Sequence, residues 1–144
     1  PLSERMDTKR VSIDLLDKEH GYGFCLNVGN PHIIFFVKDC NKIDIKKLGP
    51  KIEKYKFFPE RTNVTFAQVL DKKNIRVNVW ERGAGQTKAC GTAACAVGVA
   101  ASMKGLSDKK LQVHFKEGNL QIDYEKEIFM TGPVSEVKRV SLDI

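Results

Sequence analysis

Hydrophobic and polar positions fall into many short segments broken by turn residues. Val11 to Leu16 begins a strand pattern, and Tyr22 to Val28 is a second after the Glu19-His20-Gly21 turn. Gly29-Asn30-Pro31 breaks it, and Ile33 to Val37 is apolar throughout, the mark of a buried strand. From Ile43 to Tyr55 the spacing is helical at Ile45, Leu48, Ile52 and Tyr55. Gly49-Pro50 interrupts this spacing and places the helix start at Pro50, since proline suits a first turn; the segment reads as an outer helix on a sheet. Phe57-Phe58-Pro59 leads into a strand from Asn63 to Leu70, and Asp71-Lys72-Lys73-Asn74 is a turn. Ile75 to Trp80 then alternates Ile75, Val77 and Val79 with Arg76, Asn78 and Trp80, as a half-buried strand does. Leu111 to Phe115, Leu120 to Tyr124 and Ile128 to Met130 are three further strands. Glu117-Gly118-Asn119 and Glu125-Lys126 form the turns between them, and Val134 to Leu142 is a last strand.

One segment departs from this pattern. Residues 93 to 101, A-A-C-A-V-G-V-A-A, leave no polar face. A helix apolar all round is buried on every side, and this one is too short for a bilayer, which needs about 20 apolar residues. Its small side chains let neighbours approach closely, and Gly105 ends it. Short strands around one apolar helix predict an α+β domain.

The chemistry gathers where this helix begins. Trp80-Glu81-Arg82 ends a strand, Gly83-Ala84-Gly85-Gln86-Thr87 is a glycine loop, and Cys90-Gly91-Thr92 opens the helix. The first N–H groups of a helix lack internal partners and favour anions. That field favours the thiolate form of a cysteine placed there. Gly91 allows close approach to the backbone, and Thr92 is expected to cap the helix and donate from its hydroxyl. A cysteine near a helix is ordinarily a small buried hydrophobe, but the glycines before Cys90 and the Gly-Thr after it point to a thiolate beside a carboxylate-binding nest.

Composition narrows the function classes. At 144 residues the chain is long enough for one domain with a real core. The net charge of +6 comes from scattered lysines, and Lys38 to Lys56 also holds Asp39, Asp44 and Glu53, so it reads as a solvated face rather than a nucleic-acid surface. The polar start, P-L-S-E-R-M-D-T-K-R, is not a signal peptide, and its lack of an initiator Met suits a fragment. The four cysteines are expected to stay reduced in the cytoplasm. Cys90 and Cys95 have no second pair to complete a zinc site, and His20, His32 and His114 are isolated. Cys95 reads as core, and Cys25 and Cys40 as residues without chemistry.

The segment E-R-G-A-G-Q-T-K-A-C-G-T-A-A-C-A resembles the signature around the second catalytic cysteine of the diaminopimelate epimerase family, usually E-R-G-x-G-E-T-x-A-C-G-T/S-G-A-C-A. V-G-N-P-H-I-I-F-F-V at 28–37, F-P-E-R-T-N-V-T-F at 58–66 and F-M-T-G-P at 129–133 agree with it. Gln86 stands where the family usually has Glu, and Ala93 where it usually has Gly. The C-G-N-G motif of the family's first half does not occur, so the chain resembles the second half.

The resemblance implies a barrel-like, mixed, largely antiparallel sheet around the central helix. Residues 1–133 are then the C-terminal epimerase domain, and 134–144 a terminal strand belonging with the N-terminal domain. It implies a cofactor-independent isomerase of lysine biosynthesis that interconverts LL- and meso-diaminopimelate with two cysteines. By this resemblance Cys90 is catalytic, and His32 and Glu81 tune the thiols. Asn30, Asn63, Glu81, Arg82, Gly91 and Thr92 bind substrate. No cofactor, metal, nucleic acid or membrane is implied. The expected partners are the small-molecule substrate, the N-terminal domain and a second copy as homodimer, and the half alone is expected to be inactive. The rivals are a proline-racemase-like racemase of the same fold and a non-catalytic binding module.

Overall fold

The computed structural model describes residues 9–12, 22–54, 61–87, 90–116, 118–124, 128–131 and 137–140. The readings placed on Ile13 to Leu16, on Glu19-His20-Gly21, on Phe57-Phe58-Pro59 and on Glu125-Lys126 lie outside them.

The described residues form ten strands: β1 (Lys9–Ser12), β2 (Tyr22–Asn27), β3 (Pro31–Phe36), β4 (Asn63–Asp71), β5 (Asn74–Glu81), β6 (Gly85–Thr87), β7 (Lys110–Phe115), β8 (Gly118–Tyr124), β9 (Ile128–Thr131) and β10 (Val137–Val140). Two α-helices accompany them, α1 (Ile45–Glu53) and α2 (Gly91–Met103), with a short 3₁₀ turn at Cys40–Lys42. The strands make one sheet in the order β1-β2-β3-β4-β5-β7-β8-β9-β10, with β6 added to β5. β3 with β4 and β5 with β7 are parallel; the other pairs are antiparallel. Parallel neighbours need a crossover, and α1 lies in the first connection and α2 in the second. The sheet is mixed and largely antiparallel, as the family resemblance implied.

The sheet curves around α2, which touches β2, β3, β4, β7, β8 and β9. Every residue from Ala93 to Ala101 is buried. Gly98 allows the closest approach, because a Cβ there would sit 2.7 Å from Ile122 Cγ2 on β8. α2 ends as foreseen at Gly105 (φ +73). Gly105 N–H donates to Ser102 O and Leu106 N–H to Ala101 O, the paired bonds of a Schellman stop.

A second apolar layer lies on the other face. Ile33, Phe35, Val64 and Phe66 pack there with Ile45 and Ile52 of α1, and the rings of Phe35 and Phe66 stack at 5.3 Å. Ile34 points the opposite way, into the α2 cluster. Burial on both faces explains the unbroken apolar run of β3. It also explains Asn78, read as facing away from the core yet buried, because α1 covers part of that face of β5.

Three local readings are corrected. α1 does not start at Pro50. Asp44 caps it, its side chain accepting from Lys47 N–H, and the helix runs through Gly49-Pro50. Proline inside a helix forfeits one bond and costs about 3 kcal/mol. Here the buried Ile45 and Ile52 and the packing of Gly49 on Trp80 offset it. The turn after β7 is shorter than read: Phe115 already pairs with Gly118, and Asn119 lies in β8. Thr92 is not the cap of α2; Cys90 is. No helix among the described residues is long and apolar enough to cross a membrane.

Candidate active site

Four segments meet at one end of the sheet. β3 starts at Pro31, directly after a turn made by Gly29 (φ +109) and Asn30. β4 runs parallel to β3 from Asn63, which sets Asn63 beside His32. β5 returns antiparallel, so Trp80 faces Val64 and Glu81 ends the strand at the same edge. α2 starts there with Cys90 as its N-cap in extended conformation. Asn30, His32, Asn63, Glu81, Arg82, Cys90, Gly91 and Thr92 are thereby drawn together from across the chain.

Cys90 sits at the centre. It is 7% exposed, and its thiol donates to Glu81 Oε1 at 3.8 Å. Thr92 Oγ1 lies 3.5 Å from the sulfur. Asn30 Nδ2 donates to the same hydroxyl at 3.5 Å, and Asn30 Oδ1 faces His32 Nε2 at 2.9 Å. A continuous polar chain therefore runs His32–Asn30–Thr92–Cys90–Glu81. Cys90 makes no side-chain capping bond, so the first N–H groups of α2 remain available to an anion.

His32 is buried, and its Nδ1 has no partner. Burial, with the Arg82 guanidinium adding, pushes its pKa down to about 4. The ring is neutral near pH 7, and with Nε2–H donated to Asn30 the Nδ1 lone pair is left bare. Among the described residues no hydrogen bond joins His32 to Cys90 directly; Asn30 and Thr92 link them. Glu81 does bond to Cys90 itself.

Asn63 is buried, with both ends of its amide bonded to backbone. Nδ2 donates to Pro31 O at 2.9 Å, and Oδ1 accepts from Arg82 N–H at 2.6 Å. The side chain ties the start of β3 to the segment leaving β5. Arg82 itself is exposed, at the mouth of the site. Gly91 and Thr92 are half-buried at the helix start. Of the departures from the usual signature, Ala93 is buried in α2 and Gln86 lies in β6.

The other described cysteines stand apart. Cys95 faces the core, where burial and then the neighbouring Cys90 push its thiol up to about 12. Cys40 is buried and raised for the same first reason. All four thiols are free.

A family sequence model described as Diaminopimelate epimerase matches residues 24–137. The chain belongs to the diaminopimelate epimerase family. A diaminopimelate epimerase from Pelagibacter ubique is 48% identical over 100% of this chain and 54% of its own length. One from Moorella thermoacetica is 48% identical over 81% of this chain and 43% of its own, and one from Methanococcus maripaludis 40% identical over 93% and 50%. The chain spans about half the length of the curated relatives it matches. Among solved structures, a phenazine biosynthesis protein of the PhzF family from Enterococcus faecalis aligns with a TM-score of 0.53 at 11% identity, covering 84% of this chain and 41% of its own. A phenazine biosynthesis PhzC/PhzF protein from Clostridium difficile gives 0.52 at 19%, covering 71% and 37%. At such identities the likeness is one of fold, and it agrees with the α+β architecture built from the epimerase-family motifs.

The sequence reading missed Glu53. It is buried at the end of α1 and bonded to Trp80 and Gly83. The signal was present: Glu53 follows Ile45 by eight positions and Gly49 by four, so a carboxylate lies on the helix face that packs inward.

Proposed function

We propose that this chain is the C-terminal half of a diaminopimelate epimerase and supplies one of two cysteine acid/base groups. The observation that carries the reading is Cys90 at the open start of a buried helix, against the Glu81 carboxylate. The other half brings the second cysteine and the rest of the carboxylate cradle.

The reaction inverts a carbon next to a carboxylate. One cysteine thiolate takes the hydrogen, so a C–H bond breaks and an S–H bond forms. The electron pair stays on the substrate and spreads into its carboxylate. The thiol on the opposite face then donates its proton to the same carbon. Acid/base groups positioned this way contribute about 10²–10⁴-fold each. The developing charge needs fixed donors, and the N–H groups of Gly91 and Thr92 at the α2 start are this chain's share.

Glu81 and Thr92 hold the Cys90 sulfur, and Glu81 is a proton acceptor in contact with it. His32 acts on the thiol through Asn30 and Thr92. Arg82 suits the far carboxylate of a two-headed substrate by its forked geometry, and Glu81 its ammonium group. Asn30 offers its amide at the site's edge. Asn63 fixes where Pro31 and Arg82 sit, and its second amide hydrogen is the part left for a ligand. A cytoplasmic enzyme with reduced thiols, open to pairing as a homodimer, fits this picture.

Hydrogen exchange at the α-carbon of diaminopimelate in heavy water, followed by NMR with the intact two-domain protein and its Cys90→Ala variant, tests the reading. Exchange in the parent, reduced at least about 10²-fold in the variant, supports it. A folded parent that exchanges nothing refutes the substrate, and equal exchange in both refutes the role of Cys90.

A further inference from the structure

A carboxylate outside this site grips the loop that carries two of its residues. Glu53 ends α1 at 4% exposure, and its side chain crosses to the segment leaving β5. Oε1 accepts from the Trp80 indole N–H at 2.9 Å, and Oε2 accepts from Gly83 N–H at 3.2 Å. Arg61 Nη1 lies 3.7 Å from Oε2. Trp80 and Gly83 are the immediate sequence neighbours of the Glu81-Arg82 pair. One carboxylate therefore holds both ends of that pair.

The loop is the tip of the β5–β6 hairpin, in which Glu81 pairs with Gly85. Gly83 and Gly85 are left-handed, at φ +77 and +83, and Ala84 N–H closes a turn on Glu81 O. From within, Arg82 N–H is tied to Asn63. From outside, the Trp80 ring lies against Gly49 of α1, where a Cβ would be 2.5 Å from Trp80 Cγ. Glu53 completes this grip. A buried carboxylate is a poor device for stability alone, since well-packed apolar replacements of buried ion pairs are often neutral or stabilising. Its value lies in direction: an acceptor with two fixed oxygens sets where both N–H groups point.

We propose that Glu53 is a positioning residue for recognition of the substrate's far end. It aims Glu81 and Arg82 without touching the ligand. This rests on the epimerase reading above.

The test uses the intact two-domain protein and Glu53→Gln, which keeps size and shape. Its single carbonyl oxygen can serve Trp80 or Gly83, while its amide N–H₂ opposes the other N–H. The expected result is a KM for diaminopimelate raised on the order of tenfold, as loss of a bond to a charged group would give, with kcat within about threefold. The indole N–H resonance of Trp80, the sole tryptophan of this chain, should move too; Trp80→Phe assigns it. Arg61→Gln, at a mostly exposed site, covers the case in which Glu53→Gln fails to fold, and should raise KM by a smaller factor. An unmoved KM in a folded variant of an active parent overturns the positioning role, even if the indole resonance shifts. A fall in kcat at constant KM overturns it as well. A parent that does not turn over diaminopimelate overturns the underlying reading, and the positioning role with it.

Discussion

Cys90 depends on neighbours of two kinds. Glu81 and Thr92 meet the sulfur directly, whereas His32 is linked to it through Asn30 and Thr92. Charging His32 would place a cation in a buried site that the Arg82 guanidinium already disfavours. The consequence is measurable. The folded pKa, about 4, lies below the ordinary value of 6.5. Between these values the unfolded chain binds a proton that the native protein does not. Stability from this group is therefore complete above pH 6.5 and is lost as pH falls toward 4, by about 3 kcal/mol in all. Urea unfolding of the intact protein across that window should show this slope, and His32→Gln should remove it. The residue types at 30, 63, 81–82 and 90–92 were legible as a motif. The atoms that join them were not, because Asn30 and Thr92 lie 62 positions apart and meet only when β3 and α2 are in place.

Among the elements, β5 and α2 were legible because each carries a single periodicity: alternation in one, unbroken small apolar residues in the other. α1 was misread because Gly49-Pro50 looks like a helix break. Locally it is one; the partner strand decides otherwise. The absence of a side chain at Gly49 lets the helix lie on Trp80, and Ile45 and Ile52 anchor it on either side of the proline. This gives a prediction of sign. In an exposed helix interior, Gly→Ala stabilises by about 0.5–1 kcal/mol. Gly49→Ala should instead destabilise by about 1–3 kcal/mol, since the new methyl must push the indole away. Urea midpoints of parent and variant decide the sign. The same variant should raise KM, because the displaced indole is the one held by Glu53.

Across the whole molecule, the sheet carries an apolar layer on each face, and the polar residues of the site collect at one end. A domain built this way can fold around its own core and still offer only one wall of a catalytic cleft. If Cys90 serves one face of the substrate carbon, inversion of that carbon by this chain alone should stay at background. Adding the separately produced first half should restore it in proportion to the complex formed, with NMR in heavy water as the readout. Turnover by the chain alone would show that the second base lies within it. The α+β class was foreseen from the short strands and one apolar helix, and the mixed sheet only from the family resemblance; which pairs are parallel was not, since pairing direction depends on where the crossovers dock.

The buried helix has one last consequence. An element with no polar stripe has no preferred heading about its own axis, and a quarter-turn would swing Cys90 off its neighbours while burying much the same surface. Gly98 acts as the keyway. It lies seven positions beyond Gly91, nearly two full turns, and only that side of the rod admits Ile122. The angular setting of the thiol is thus indexed by a residue with no side chain, well away from the sulfur it aims.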